Sequence, residues 1–359
     1  MNSESFTLDS KDMVSTKDAS KYSRNNKSSI YFSEFVEILN QLEKCKGITN
    51  RDLAKQTLID LFVRIINDYP QDFTKIYYFL TYKVGPAYLI PNLTIKHDIL
   101  ESLVQKLYNT PHYYILNNLK NLGDLGLVAS KIKEENERAM PGRKITEEKI
   151  KLSELMATLE EAALETDNKN QNYKHKLIFD LMIKTNKDEI KYLIRFLEKN
   201  LRLGISPTLV FQSISKAITS ILKNVFDTDI YKTMMKSFNQ LVDEDILFDH
   251  IIELIEKRAN FNQLTNLCQM RCGVPIGYQL AEFSTGIKSM VKEFNKQPFT
   301  LESNYNGMKC QIHCNKDKIQ IFSKNYEDIT DKYPEIVGYV SIFIAKSKEK
   351  TKKDIKSFI

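Results

Sequence analysis

Between Thr300 and Lys309 the chain gathers one carboxylate, two amides and an ammonium group: Glu302, Asn304, Asn306 and Lys309. A further cation, Lys324, follows two strand-like runs. Lys309 and Lys324 carry positive charge that can pair with phosphate, but as point charges without the bidentate fork of Arg. Asn304 offers an amide, whose delocalised lone pair is barely nucleophilic, so covalent catalysis has no starting atom there. Lys309 lies five positions on, beyond the Asn306-Gly307 turn, an odd offset that in extended chain points it to the opposite face.

Two other segments could hold phosphate. Gly123-Asp124-Leu125-Gly126-Leu127-Val128-Ala129 has two glycines flanking an Asp, suited to a tight turn into a helix. Exposed N–H groups at such a helix start can bind an anion, although a purely structural turn has the same sequence. Leu201-Arg202-Leu203-Gly204-Ile205, followed by Ser206-Pro207, reads as a helix C-cap at Gly204 and then an N-cap with Pro in the first turn. Cys268, Cys272, Cys310, His313 and Cys314 contain metal-ligating types. Cys310 and Cys314 would share one face of a strand with His313 on the other, so no metal site is expected and buried cysteines are. No Ser-His-Asp set, phosphate loop or dinucleotide fingerprint occurs.

The elements that position these residues follow from periodicity. Residues 1–30 are polar and read as a disordered arm. From about 31 to 270 the pattern is helical. Phe35, Ile38, Leu39 and Leu42 share a face of a helix near 33–46, with Gly47 as a stop. A second helix spans 51–68, carrying Leu58, Leu61, Phe62, Ile65 and Ile66 before Pro70. Asn186 and Glu189 form a capping-box pair ahead of Ile190, Leu193, Ile194, Leu197 and Leu201, with Gly204 ending that helix. After Pro275 the pattern changes: 299–302, 308–314 and 318–323 read as strands, and Pro334 punctuates the end of the block. The Lys-rich stretch 346–356 reads as a solvated helix or frayed end.

Composition bounds the classes. The 359 residues suffice for two or three domains, with 42% hydrophobic and 27% charged residues and a net charge of +6 that permits contact with a polyanion. There is no apolar run long enough for a membrane span and no secretory leader pattern. Five cysteines in a chain of this size fit a reduced, intracellular compartment.

Taken together, the segments resemble the ATP-dependent DNA ligases of eukaryotic and archaeal type. Gly-Asp-Leu-Gly-Leu-Val-Ala, a capped helix followed by Leu-Arg-Leu-Gly, and Gly273-Val274-Pro275-Ile276-Gly277-Tyr278-Gln279-Leu280-Ala281 occur in the family's order. In the last of these Tyr278 and Gln279 stand where Pro and Met are usual. The 300–309 segment resembles the nucleotidyl-transfer motif Lys-Tyr-Asp-Gly followed by Arg, with Asn304 for the nucleophilic Lys, Asn306 for Asp and Lys309 for Arg. Ile321 to Thr330 resembles the Phe-Ser-Arg-Asn motif, with Lys324 for Arg.

The resemblance implies a mainly α N-terminal DNA-binding domain over 31–270, followed by an incomplete α+β nucleotidyltransferase (adenylation) domain over 271–359. It implies phosphate contacts with duplex, preferably nicked, DNA at Gly123, Gly126, Arg202 and Gly204. It implies weak nucleotide contacts at Glu302, Asn304, Asn306, Lys309 and Lys324, and ATP with Mg2+ as family cofactors not used productively here. A nuclear location and a replication, repair or recombination context follow from the same likeness.

The family's later lysine motifs, its acidic metal motif and its OB-fold domain are expected to be absent. Strand edges and apolar faces are then left for a second chain that completes the adenylation and OB-fold parts. Three readings stay open: a non-ligating relative that binds DNA, a fragment of an active ligase that seals nicks through an enzyme–AMP intermediate, and a non-catalytic helical scaffold.

Overall fold

Helix start and stop signals in the chain translate directly into elements. The computed structural model describes residues 28–45, 51–139, 149–165, 171–222, 229–278, 286–294, 297–298, 307–315, 318–351 and 357–359. The chain forms two compact units, one of residues 1–238 with 243–269, the other of 239–242 with 270–359. The first is helical and the second is a small α+β unit.

The helical unit contains α1 (Phe32–Lys44), α2 (Arg51–Asp68), α3 (Phe73–Leu80), α4 (His97–Tyr108), α5 (His112–Leu122), α6 (Leu125–Ala139), α7 (Leu152–Leu164), α8 (Gln171–Lys184) and α9 (Lys187–Leu197). It continues through α10 (Pro207–Leu222), α11 (Ile230–Gln240), α12 (Glu244–Lys257) and α13 (Leu264–Leu267), the last residues of α11 belonging to the second unit. Most of the polar arm expected over 1–30 lies outside the described residues. Ile30, however, is fully buried, and its N–H donates to the Asp72 carboxylate at 2.7 Å. Leu152 N–H donates to Ile30 O at 2.8 Å, so residue 30 belongs to the helical body.

The core centres on α3 and α9, which are buried on nearly every side, as the lack of a wide polar face on α3 requires. Phe79 of α3 stacks on Phe196 of α9 with centroids 4.7 Å apart, and Phe32 and Phe35 of α1 meet Phe79 edge-on. Phe73 and Tyr77 of α3 close on Phe248 of α12. Such aromatic pairs add to the area they bury by about 0.5–1.5 kcal/mol each.

The capping box at Asn186 is present: its Oδ1 accepts from Asp188 and Glu189 N–H, and Glu189 Oε2 accepts from Asn186 N–H at 2.7 Å. Gly204 is not the C-cap of this helix. α9 stops at Leu197 because Lys199 turns left-handed (φ 55). Asn200 N–H then donates to Arg195 O, and Lys199 N–H to Phe196 O, a Schellman arrangement with Lys where Gly is usual. Leu201 is buried but lies outside the helix.

The second unit has α14 (Ile287–Phe294), β1 (Cys310–Asn315), β2 (Lys318–Ser323), α15 (Pro334–Thr351) and β3 (Ser357–Phe358). The sheet order is β2-β1-β3 with antiparallel pairs, and Cys310 opposes Ser323 in the β1–β2 register. The strand expected over 299–302 lies outside the described residues. Pro334 opens α15 rather than ending a block, since its fixed φ suits a first helical turn. Tyr339, Ile342 and Phe343 of α15 are exposed, as are Ile287 and Val291 of α14. Of the cysteines expected to be buried, Cys268 and Cys314 are, Cys272 is half-buried and Cys310 is exposed, at the first position of its strand. Among the described residues no helix is long and apolar enough to cross a membrane.

Candidate nucleic-acid interface and nucleotidyl site

Gly123 caps α5 in the left-handed region at φ 64, its N–H donating to Leu119 O at 2.7 Å. It is exposed, and a Cβ built there meets nothing within 4 Å. Asp124 follows, almost wholly buried, with Oδ1 accepting from Leu127 N–H at 3.3 Å in the first turn of α6. Gly126 is buried. A Cβ at Gly126 would sit 2.5 Å from Lys191 O and 3.1 Å from Arg195 Cγ, so this glycine lets α6 approach α9. Its place is in packing, whereas Gly123 faces solvent.

The second loop runs from Glu198 to Ser206. Lys199, Arg202 and Gly204 are all left-handed, at φ 55, 56 and 69. Non-glycine residues there cost about 1–2 kcal/mol each, and they persist only where neighbours hold them. Arg202 N–H is held by Asn200 Oδ1 at 3.1 Å and Leu201 N–H by the Tyr82 hydroxyl at 3.3 Å. Gly204 is exposed, and Ser206 Oγ caps α10 by accepting from Leu209 N–H at 3.2 Å, with Pro207 in the first turn.

A buried ionic network joins the two loops. Arg195 of α9, 1% exposed, donates from Nε and Nη2 to Asp124 Oδ2 at 3.0 and 2.8 Å, and from Nη2 to Glu43 Oε1 of α1 at 2.8 Å. Lys191 and Tyr192 both reach Asn40 and Glu43. Arg202 Nε lies 3.5 Å from the same Asp124 Oδ2. Burial alone would raise the Glu43 carboxyl, but hydrogen bonds and charge from Arg195 and Lys191 hold it down at about 2. Burial would lower the Arg195 guanidinium, and Glu43 with Asp124 raises it instead. Three cations, Lys191, Arg195 and Arg202, thus share two carboxylates, Glu43 and Asp124, under the two loops. Sequence reasoning missed Glu43, Lys191 and Arg195. The signal was present in α9, where Asp188, Lys191 and Arg195 recur at helical spacing on one face of the helix.

In the second unit, Glu302, Asn304 and Asn306 lie outside the described residues. Lys309 and Lys324 are both exposed. Because Cys310 opposes Ser323, these lysines flank the same end of the β1–β2 ribbon, one residue beyond each strand. The segment before them is held to β1: Ile276 N–H donates to Gln311 Oε1 at 2.9 Å and Gly273 N–H to His313 Nδ1 at 3.2 Å. Tyr278, where the resemblance expects Pro, stacks on Tyr326 with centroids 5.9 Å apart. His313 is buried in these contacts, and burial lowers its pKa.

Comparison with known proteins decides the family. A family model described as the DNA ligase N terminus matches residues 31–215, and one described as the ATP dependent DNA ligase domain matches 278–354. The chain belongs to the ATP-dependent DNA ligase family.

Its sequence is 25% identical over 347 residues to DNA ligase 1 of Dictyostelium discoideum, covering 90% of this chain and 28% of that relative. It is 28% identical over 320 residues to the DNA ligase of Saccharolobus solfataricus (87% and 50%), and 26% identical over 333 residues to DNA ligase 1 of Saccharomyces cerevisiae (90% and 42%). This ligase-family chain therefore spans half or less of the length of these curated relatives. The α-rich part followed by a partial adenylation fold is the architecture observed. Of the residues expected to touch DNA, Gly123 and Gly204 lie exposed in left-handed loops and Arg202 beside them is half-exposed, while Gly126 is buried.

Proposed function

We propose that residues 31–270 hold duplex DNA by its phosphates and that residues 271–359 form a part of an adenylation domain that does not transfer AMP. The single observation that supports the DNA reading is the pairing of two loops far apart in sequence. Arg202 lies 3.5 Å from Asp124, next to the exposed left-handed Gly123, over the ionic network of Lys191, Arg195, Glu43 and Asp124. The Gly123 and Arg202 N–H groups are already taken by Leu119 O and Asn200 Oδ1, so the group at these turns that suits a phosphodiester oxygen is the Arg202 guanidinium. Such contacts position a duplex without reading its bases, so the binding is sequence-independent. A nuclear setting in replication, repair or recombination belongs to the same reading.

For the nucleotide, Lys309 and Lys324 supply charge at one end of a ribbon and fit a phosphate held without a covalent bond. Bound ATP would bring the adenylyl group; Asn304 brings no amine to accept it. Loss of a nucleophile in covalent enzymes costs roughly 10⁶-fold. Asn306 likewise lacks the carboxylate through which an Asp would contact sugar or metal.

The test is titration of fluorescent nicked and intact duplex across a salt series, beside incubation with labelled ATP. Affinity should fall with salt at a slope corresponding to roughly 5–10 phosphate contacts. No labelled protein–AMP adduct should form. A folded sample that ignores DNA at low salt would sink the DNA reading, and a covalent adduct would sink the catalytic one.

A further inference from the structure

We infer that Asp124 and Arg195 are positioning residues for DNA binding: they hold Arg202 in its left-handed conformation and lock the Gly123 and Gly204 loops to one another. The inference rests on the DNA reading proposed above and adds residues that never touch the duplex. Asp124 is 2% exposed, so its carboxylate faces inward. One of its oxygens, Oδ2, meets the guanidinium groups of both Arg195 and Arg202. Its other oxygen caps the first turn of α6 directly after Gly123. One side chain thus fixes the end of one loop and the cation of the other.

Arg195 is in turn fixed from behind by Glu43 of α1, so Asp124 cannot swing to follow a loop that moves. Among the described residues Arg195 Nη1 and Arg202 Nε are buried without a hydrogen-bond partner, so Arg202 is held to Asp124 by charge at 3.5 Å rather than by a hydrogen bond. Arg202 accepts a backbone conformation that disfavours a side chain. Strain of this kind persists where the surroundings over-determine it.

The positioning role and simple electrostatics predict opposite signs for one substitution. Asp124→Asn keeps the side chain's size and removes a negative charge from the cluster. If charge alone mattered, the variant would bind a polyanion more tightly. If Asp124 positions Arg202, affinity falls about tenfold and the salt slope drops by about one phosphate contact. Duplex affinity across the same salt series is measured for the wild type, Asp124→Asn, Arg202→Ala and the double variant, with melting curves to confirm folding. On the Arg202→Ala background the Asn substitution should add little, because it acts through Arg202.

Should Asp124→Asn fail to fold, Glu43→Gln carries the test. Glu43 is partly exposed, and the positioning reading predicts a smaller loss of affinity where charge removal alone predicts a gain. Unchanged or tighter binding by a folded Asp124→Asn or Glu43→Gln overturns the inference. So do losses from Asp124→Asn and Arg202→Ala that simply add. A wild type that does not bind duplex instead refutes the function on which the inference rests, so the two failures read differently.

Discussion

Lys199 shows how a single residue can end a helix against its own preference. It occupies the position after the α9 C-cap at φ 55, where glycine loses nothing and an L side chain costs about 1–2 kcal/mol. Its side chain is exposed and, among the described residues, donates to Thr94 Oγ1 at 3.4 Å. Lys199→Gly should therefore stabilise the helical unit by about 0.5–1 kcal/mol, the removed strain being offset in part by the added freedom of the unfolded chain. Urea denaturation checks it, and a midpoint that falls would contradict the strain assignment. Arg202 is strained in the same way, yet its guanidinium faces Asp124, so the two left-handed cations answer to different needs. Asn304 is the converse case: the proposal that it accepts no adenylyl group rests on residue type alone.

At the scale of elements, the approach of α6 to α9 carries the proposed interface. Gly126 removes the side chain that would separate them, with Lys191 O only 2.5 Å from where a Cβ would lie. That contact is with backbone, which cannot swing aside. Gly126→Ala should cost about 1–3 kcal/mol, the range for overpacking a filled interior. It should also weaken DNA binding, because the helices that bring Asp124 to Arg195 are forced apart. Thermal melting and the duplex titration report the two effects, and a variant as stable as the wild type would show that the helices adjust without strain. The β1–β2 ribbon is simpler, since its register follows from the alternation of its strands and places Lys309 and Lys324 at one end.

For the whole molecule, two half-buried carboxylates of the helical unit set opposing pH dependences. Asp245 is pushed up to about 6 by burial and by the charges of Asp243 and Glu244. Between its ordinary value of 3.8 and 6 the folded state holds the extra proton, so stability falls as pH rises through that window. Glu43, ordinarily 4.5 and here about 2, contributes stability that is present above 4.5 and lost as pH falls toward 2. Asp245→Asn should abolish the first limb: its melting temperature relative to the wild type should rise between pH 4 and 7. Melting curves of the two proteins that stay parallel across that range would show that Asp245 titrates normally.

Much of this architecture is legible in the chain because its signals are local. The α2 boundaries, the capping box at Asn186 and Glu189, the Ser206-Pro207 start and the strand Lys318–Ser323 each depend on residues within a turn or two. The motifs that carry the family likeness are short runs of the same kind, and Asn304 states its chemistry by its side chain. Tertiary structure alone decided where α9 ends, because a left-handed Lys carries no glycine signature. It alone showed that Gly126 serves packing, and that Glu43, Asp124, Arg195 and Arg202 meet. Those residues come from three separate stretches of sequence, and their ion pairs depend on how α1, α6 and α9 pack. No local propensity encodes that geometry, since burial of a charge is stable only where the fold delivers its partner.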